Sequence, residues 1–99
     1  MSAAGGQRPS PVGPVLEANE IGRAVAAAIV TTNPGASIED RGAYLRVSVL
    51  GRCVVERRAI ETELGRDFTL PRDLELVMPA FQGRLSMNDD RVEWRFEGA

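Results

Sequence analysis

The spacing of apolar residues changes abruptly at Asn33-Pro34-Gly35, and this change constrains the fold more than any other feature of the sequence. Before it, apolar residues recur at i, i+3, i+4, i+7 and i+8, namely Ile21, Ala24, Val25, Ala28 and Ile29. After it, residues 44–49 alternate, with Leu45, Val47 and Val49 on one face. The first spacing is typical of an amphipathic helix and the second of a half-buried strand. The chain must therefore pack a helix on a sheet.

Capping, proline and glycine residues indicate where this helix begins and ends and where the first strands lie. Asn19 is a good helix N-cap, and Pro34 and Gly35 are expected to end the helix. Residues 12–16 are expected to form an edge strand, because Pro14 cannot donate to a central ladder. Leu50-Gly51 predicts a tight turn that joins two strands, 43–49 and 52–57, as a hairpin.

The second half of the chain predicts four more elements. A short helix at 58–64 is expected to end at Gly65, and a buried strand is expected at 74–78. Two strands at 84–87 and 91–96 flank the turn Asn88-Asp89-Asp90. The predicted order is β-α-β-β-α-β-β-β, which indicates an α+β fold with two helices packed on a mostly antiparallel sheet.

The length of 99 residues fits one domain. Residues 1–11 are rich in Gly, Pro, Ser and Ala and are expected to form a flexible tail, so the domain is expected to span 12–99. No apolar run is long enough to cross a membrane, and no signal peptide is recognisable. With the single cysteine Cys53, this predicts a cytoplasmic protein.

The composition excludes most kinds of active site. The chain has no histidine and no lysine, which removes the usual metal ligand, the usual acid–base residue and Schiff-base chemistry. A formal net charge of −2 offers no strong field for nucleic acid or an anionic membrane. Cys53 alternates within a strand, as a small buried side chain would. We therefore expect no catalysis by the chain itself.

Two features stay open on the residues alone. The charges of Glu39-Asp40-Arg41 face either water or a partner, whereas Asp89-Asp90 is expected to be a solvated turn. Residues 77–83 place Val77, Met78 and Phe81 around a proline break. Such a bend is either a core plug or an exposed apolar anchor, and composition favours the plug.

Five sequence fragments, in order, resemble a known family. They are Val12-Gly13-Pro14-Val15, Asn33-Pro34-Gly35, Ile38-Glu39-Asp40-Arg41-x-Ala43-Tyr44-x-Arg46, Leu64-Gly65-Arg66-x-Phe68 and Phe81-x-Gly83. Together they are similar to the effector, or coupling, proteins of bacterial multicomponent monooxygenases. The resemblance is strongest to the effectors of toluene and alkene monooxygenases.

The resemblance implies a cofactor-free α+β protein that binds a carboxylate-bridged diiron hydroxylase. Such effectors speed oxygen activation, couple electron delivery to product formation and tune substrate entry. The iron, flavin and iron–sulfur groups would then belong to partner components. The resemblance does not distinguish an aromatic hydrocarbon from an alkene as the substrate.

The resemblance also changes the interpretation of the bend at 77–83, which becomes an anchor on the hydroxylase through Met78, Pro79 and Phe81. The methane enzyme's effector has small polar residues where Pro79, Ala80 and Phe81 stand, so only the docking location is carried over. The resemblance further implies that Asn33-Pro34-Gly35 and Glu39-Asp40-Arg41 shape or border the docking face, although turn chemistry alone also explains these two segments. The expected docking residues are Asn33, Pro34, Gly35, Glu39, Asp40, Arg41, Val77, Met78, Pro79, Ala80, Phe81 and Gly83.

A second hypothesis is a small α+β domain that senses a metabolite. It predicts a preformed pocket and a melting temperature that rises with ligand. A stand-alone enzyme is disfavoured by the missing histidine and lysine.

Overall fold

The structure, a computed structural model, describes residues 8–98. Its elements are β1 (Pro11–Glu17), α1 (Glu20–Thr32), β2 (Ser37–Asp40), β3 (Tyr44–Leu50), β4 (Arg52–Glu56), α2 (Arg57–Leu64), α3 (Arg72–Glu75), β5 (Ala80–Gln82), β6 (Arg84–Met87) and β7 (Arg91–Arg95). The predicted α+β class is confirmed. Most of the predicted tail, residues 1–7, lies outside the described residues, and Pro11 is already the first residue of β1.

The strands form two antiparallel sheets rather than one. Sheet 1 has the strand order β2-β3-β1-β5, and sheet 2 has the order β4-β7-β6. Helix α1 packs against α2 and against the inner face of sheet 1. The largest fully buried side chains include Leu16, Val25, Ile29, Val47, Cys53, Val55, Ile60, Leu74, Val92 and Trp94. The alternating residues of β3 and β7 therefore point inward as predicted.

Both longer helices begin and end where the sequence predicts, within one residue. The Asn19 side chain accepts a hydrogen bond from the Gly22 amide at 2.8 Å, which satisfies one of the unpaired N–H groups at the start of α1. Gly65 ends α2 with φ of 81°, a conformation that glycine adopts at little cost. The hairpin of β6 and β7 is also confirmed.

Strand β1 lies inside sheet 1, so the prediction of an edge strand is wrong. It pairs with β3 on one side and with β5 on the other. The register with β3 pairs Val12 with Val49 and Val15 with Arg46, and the positions between them, Gly13 and Pro14, carry no ladder pair with β3 in the described part of the chain. A proline is tolerated here because the ladder does not need its missing N–H.

Two other local predictions are wrong. Residues 74–78 are not a strand: α3 ends at Glu75, and the following turn leads into β5, where a break was expected. Strand β4 does not pair with β3 as a hairpin but pairs with β7 in sheet 2. Gly51, with φ of 80°, redirects the chain between the sheets, and its carbonyl accepts the Phe96 amide at 2.8 Å.

Candidate docking surface

The register of sheet 1 brings two of the predicted docking segments onto one surface. Glu39 pairs with Arg46, Arg46 with Val15, and Val15 with Ala80. These four residues, which we call the Glu39 row, cross all four strands of sheet 1. Neighbouring strands lie about 4.8 Å apart, so the row spans roughly 14 Å.

The Glu39 row points away from the core. Successive side chains of a strand face opposite sides of a sheet, and Leu45, Val47 and Leu16, which alternate with the row, are buried. The outer face of sheet 1 also includes Ser37, Tyr44, Ser48, Glu17 and Gln82. Most of its side chains are exposed or partly exposed, so no other element of the described chain covers it.

The row next to the Glu39 row is made of small and polar residues. Ser37 pairs with Ser48, and Gly13 pairs with Gln82. Gly13 has no room for a side chain, because a Cβ there would lie 2.3 Å from the Val47 carbonyl oxygen. Glycine at this position therefore permits the close approach of β1 and β3 within sheet 1.

The three charged residues that follow one another at the end of β2 differ in their roles. The Asp40 carboxylate accepts a hydrogen bond from the Gly42 amide at 2.8 Å, which stabilises the turn into β3. Glu39 and Arg41 form an exposed ion pair at 3.1 Å. An exposed pair of this kind contributes little to stability, so both side chains are available to a partner.

Asn33 is the predicted docking residue with the most evident structural role. It is 8% exposed, and its Nδ2 donates to the carbonyl oxygens of Ile29 at 2.9 Å and Val54 at 2.7 Å. Its Oδ1 accepts from the Val54 amide at 3.0 Å. The polar groups of the side chain are thus used within the fold, whereas the following Pro34 and Gly35 are exposed.

The segment 77–83 is divided between the core and the surface. Val77 and Met78 are buried, and the Val77 carbonyl oxygen accepts the Glu17 amide at 2.8 Å. Pro79, Ala80, Phe81 and Gly83 are exposed. Residues 77–78 thus belong to the core, as in the plug interpretation, and residues 79–83 offer the surface that the anchor interpretation requires.

Phe81 is 42% exposed but lies on the side of β5 opposite Ala80. It pairs with Pro14, which is fully buried, so Phe81 is a partly exposed residue on the inner side of β5, the edge strand of sheet 1. Leu76, which sequence reasoning missed, immediately precedes the segment 77–83 and is 70% exposed. Val15, Arg46 and Gln82 were also missed, since only the strand register brings them next to the predicted residues.

The titratable groups of the described chain do not form a reactive centre. Burial raises the pKa of the Cys53 thiol to about 12, so at neutral pH it stays protonated and unreactive. Within residues 8–98, no three metal-ligating side chains come together. None of the described helices is long and apolar enough to span a bilayer.

Known proteins with similar sequence and structure point to one family. The chain is 36% identical over 88 residues to the effector subunit of the alkene monooxygenase system of Xanthobacter autotrophicus strain Py2, covering 87% of this chain and 86% of that protein. A chain in a solved phenol hydroxylase–regulatory protein complex matches with a TM-score of 0.79 and 25% identity, over 89% of this chain and all of that one.

A second solved structure of such a complex contains a chain that matches with a TM-score of 0.71 and 27% identity, over 86% of this chain and all of that one. The sequence profile of the MmoB/DmpM family matches residues 10–95. The matched region includes both sheets and all three helices of the described chain. The chain belongs to the MmoB/DmpM family.

Proposed function

We propose that this chain is the effector subunit of a multicomponent monooxygenase and that it binds the hydroxylase component of that system. The observation that carries the proposal is the 36% identity, over nearly the whole chain, to an alkene monooxygenase effector subunit. The two phenol hydroxylase–regulatory protein complexes support a hydroxylase as the partner. Members of the family are non-catalytic components of monooxygenase systems.

The finer assignment is a toluene or alkene monooxygenase with a diiron hydroxylase. The effector would tune oxygen activation, the coupling of electron transfer to product formation, and substrate access. An effector without a reactive group can do so only by binding one hydroxylase conformation more tightly than another, because differential affinity alone shifts such an equilibrium. The buried free thiol of Cys53 fits a reducing cytoplasm, which we propose as the location.

We assign residues 12–99 to the effector domain and its docking surface to the outer face of sheet 1 with the adjoining loops. The exposed members of the predicted set are its candidates: Pro34, Gly35, Glu39, Arg41, Pro79, Ala80, Phe81 and Gly83. Two arguments support this surface. No element of residues 8–98 covers it, and the register aligns Glu39 with Ala80 across four strands.

The remaining members of the predicted set act through the fold in this proposal. Asn33 fixes the end of α1 to β4, and Asp40 closes a turn. Val77 and Met78 anchor the segment that carries Pro79 and Phe81 to the core. Substitution of any of these four residues should lower the stability of the chain, and stimulation of the hydroxylase should fall only because less of the chain is folded.

Reconstitution with the cognate hydroxylase and its electron-transfer components tests the proposal. Adding the chain should raise the turnover rate and the amount of product formed per NADH consumed, with saturation at one effector per binding site. The isolated chain should show no oxygenase turnover. A chain that left both quantities unchanged, or a melting temperature that rose only with a small metabolite, would favour the ligand-sensing alternative.

A further inference from the structure

Three arginines lie side by side on the outer face of sheet 2. Arg52 pairs with Arg95 in the register of β4 and β7, and Arg95 pairs with Arg84 in the register of β7 and β6. We call these three residues the arginine row. They occupy successive strands, so their backbones lie about 4.8 Å apart. The row lies on a different sheet from the proposed hydroxylase-docking surface.

The opposite face of the same strands is a rigid part of the core. Cys53, Trp94 and Leu85 occupy positions that pair with one another across sheet 2, and Cys53 and Trp94 are fully buried. The three arginines therefore project from a fixed base. Like charges at directly opposite positions of a sheet repel one another, so this arrangement destabilises the free chain unless anions compensate.

The chain provides only part of the compensation. The Glu93 carboxylate, whose side chain is 13% exposed, accepts hydrogen bonds from Arg52 Nε at 2.5 Å and from Arg95 Nη2 at 3.0 Å. Glu97 pairs with Arg84. Among residues 8–98, three guanidinium groups thus share two carboxylates, which leaves one positive charge in excess at this place on a chain whose formal net charge is −2.

Donors of the arginine row remain free for a partner. Among the described residues, neither terminal nitrogen of Arg52 nor Nη1 of Arg95 has an acceptor. All three side chains are more than half exposed. Glu93, on the same face of β7 as Arg95, accepts one donor of Arg52 and two of Arg95, so part of the conformational entropy of these two side chains is already lost before an anion binds.

A shallow groove runs beside the row. It has a volume of about 380 Å³ and is lined by Arg84, Ser86, Glu93, Arg95 and Glu97. A guanidinium group presents a planar fork of donors that matches the two oxygens of a carboxylate. We propose that this face binds an acidic segment of a partner protein, with its Asp or Glu carboxylates on the free donors of Arg52, Arg84 and Arg95.

An NMR titration of the full chain tests this inference independently of any hydroxylase. The probe is N-acetylated hexaglutamate, added to ¹⁵N-labelled protein at low ionic strength. We expect shift changes centred on residues 52, 84, 86 and 95. They should weaken at 0.2 M salt, because the contacts are exposed and screened. Hexalysine should cause no such changes.

Variants make the test specific. Arg52→Gln with Arg84→Gln should weaken hexaglutamate binding about tenfold, since each exposed ion pair contributes up to roughly 1 kcal/mol. Arg23→Gln with Arg66→Gln is the control pair: it removes two exposed arginines, one in α1 and one just after α2, and should leave hexaglutamate binding unchanged. Glu97→Gln should tighten binding, because it frees Arg84 from its internal partner.

Two results would overturn the inference. One is equal weakening of hexaglutamate binding by the control pair and by the arginine-row pair, which would indicate non-specific charge attraction. The other is binding of tripolyphosphate at these residues with no response to hexaglutamate, which would indicate a phosphate site. Neither outcome depends on whether the chain stimulates a hydroxylase.

Discussion

The side chain of Asn33 binds the backbone of Val54 as a neighbouring strand would. Its Nδ2 donates to the Val54 carbonyl oxygen at 2.7 Å, and its Oδ1 accepts from the Val54 amide at 3.0 Å. Val54 lies in β4, an edge strand of sheet 2. The end of α1 therefore satisfies backbone groups that an edge strand would otherwise leave open, and it ties the helix to the second sheet.

Replacing Asn33 by alanine should destabilise the protein. The substitution leaves the Val54 amide and the carbonyl oxygens of Val54 and Ile29 without this partner, at a cost of about 1–3 kcal/mol. For a domain of this length, each kcal/mol lowers the melting temperature by roughly 4–8 °C. Thermal and urea unfolding followed by circular dichroism measure the change, and Thr31→Ala, on the exposed face of α1, is the matched control.

Stimulation of the hydroxylase distinguishes the two roles considered for Asn33. If Asn33 acts only through the fold, the Asn33→Ala protein should stimulate hydroxylase turnover as strongly as the unaltered chain. The comparison is made well below the melting temperature and per folded molecule. Unchanged stability combined with a loss of hydroxylase stimulation would show that Asn33 takes part in docking.

Stability should fall in acid because the pKa values of four carboxylates lie below their ordinary range, and a hydrogen bond from Arg66 lowers that of the first, Glu20. The Phe68 amide and then Arg57 lower the pKa of Glu61, the Thr69 amide lowers that of Asp73, and hydrogen bonds from Arg52 and Arg95 lower that of Glu93. A lowered pKa in the folded state means that the stabilisation is present above the unfolded pKa and is lost as the pH falls through the folded value.

Urea unfolding between pH 7 and pH 3 measures this dependence. The free energy of unfolding contributed by these groups should be constant down to about pH 5 and should decline below the ordinary glutamate value of 4.5. Glu61→Gln should make the decline shallower, whereas Glu63→Gln, on an exposed position of α2, should not. An identical decline in all three proteins would show that the Glu61 contacts do not set it.

The indole of Trp94 contains a buried donor, Nε1, that has no hydrogen-bond partner among the described residues. Trp94→Phe removes this unpaired donor together with part of the ring, so the two effects offset each other. We expect a loss of about 1 kcal/mol or less in urea unfolding, compared with about 2–5 kcal/mol for Leu16→Ala, another fully buried position. A loss as large as that of Leu16→Ala would indicate that Nε1 has a partner, such as a buried water.

Phe81 supplies an aromatic side chain at the edge of the proposed docking surface. Phe81→Ala should weaken binding to the hydroxylase by about 1–3 kcal/mol, as is common for an aromatic anchor. Val30→Ala is a matched control, because Val30 is 43% exposed on α1 and lies outside this surface. Fluorescence anisotropy with labelled effector gives both affinities. If Phe81→Ala and the unaltered chain bound the hydroxylase with equal affinity, Phe81 would not be an anchor residue.

Local signals in the sequence are sufficient for much of the fold. The helix at 20–32, its cap at Asn19 and the hairpin of β6 and β7 follow from periodicity and turn residues. The turn at 76–79 does not, since a short apolar run such as Leu74 to Met78 fits a strand and a helical turn equally well. The place of β4 in sheet 2 depends on pairing with β7, about forty residues away, which no local pattern encodes.

The candidate surface was only partly predictable for the same reason. The family resemblance pointed to Glu39 and Ala80 as docking residues, but their alignment in one row depends on the pairing of β1 with both neighbours. Asn33 is polar and follows a helix, which is also the signature of an exposed loop. Only its distances to Val54 reveal that it belongs to the interior.

The most direct test of the docking surface places a bulky charge in the Glu39 row. Ala80→Arg introduces an arginine at an exposed position of that row. Thr62→Arg introduces an arginine at an exposed position of α2 and is the control. The cognate hydroxylase is titrated with each protein while turnover and product per NADH are measured. We predict that Ala80→Arg needs at least tenfold more effector for half-maximal stimulation, whereas Thr62→Arg behaves as the unaltered chain. If Ala80→Arg gave full stimulation at the same concentrations as the unaltered chain, docking through the outer face of sheet 1 would be contradicted.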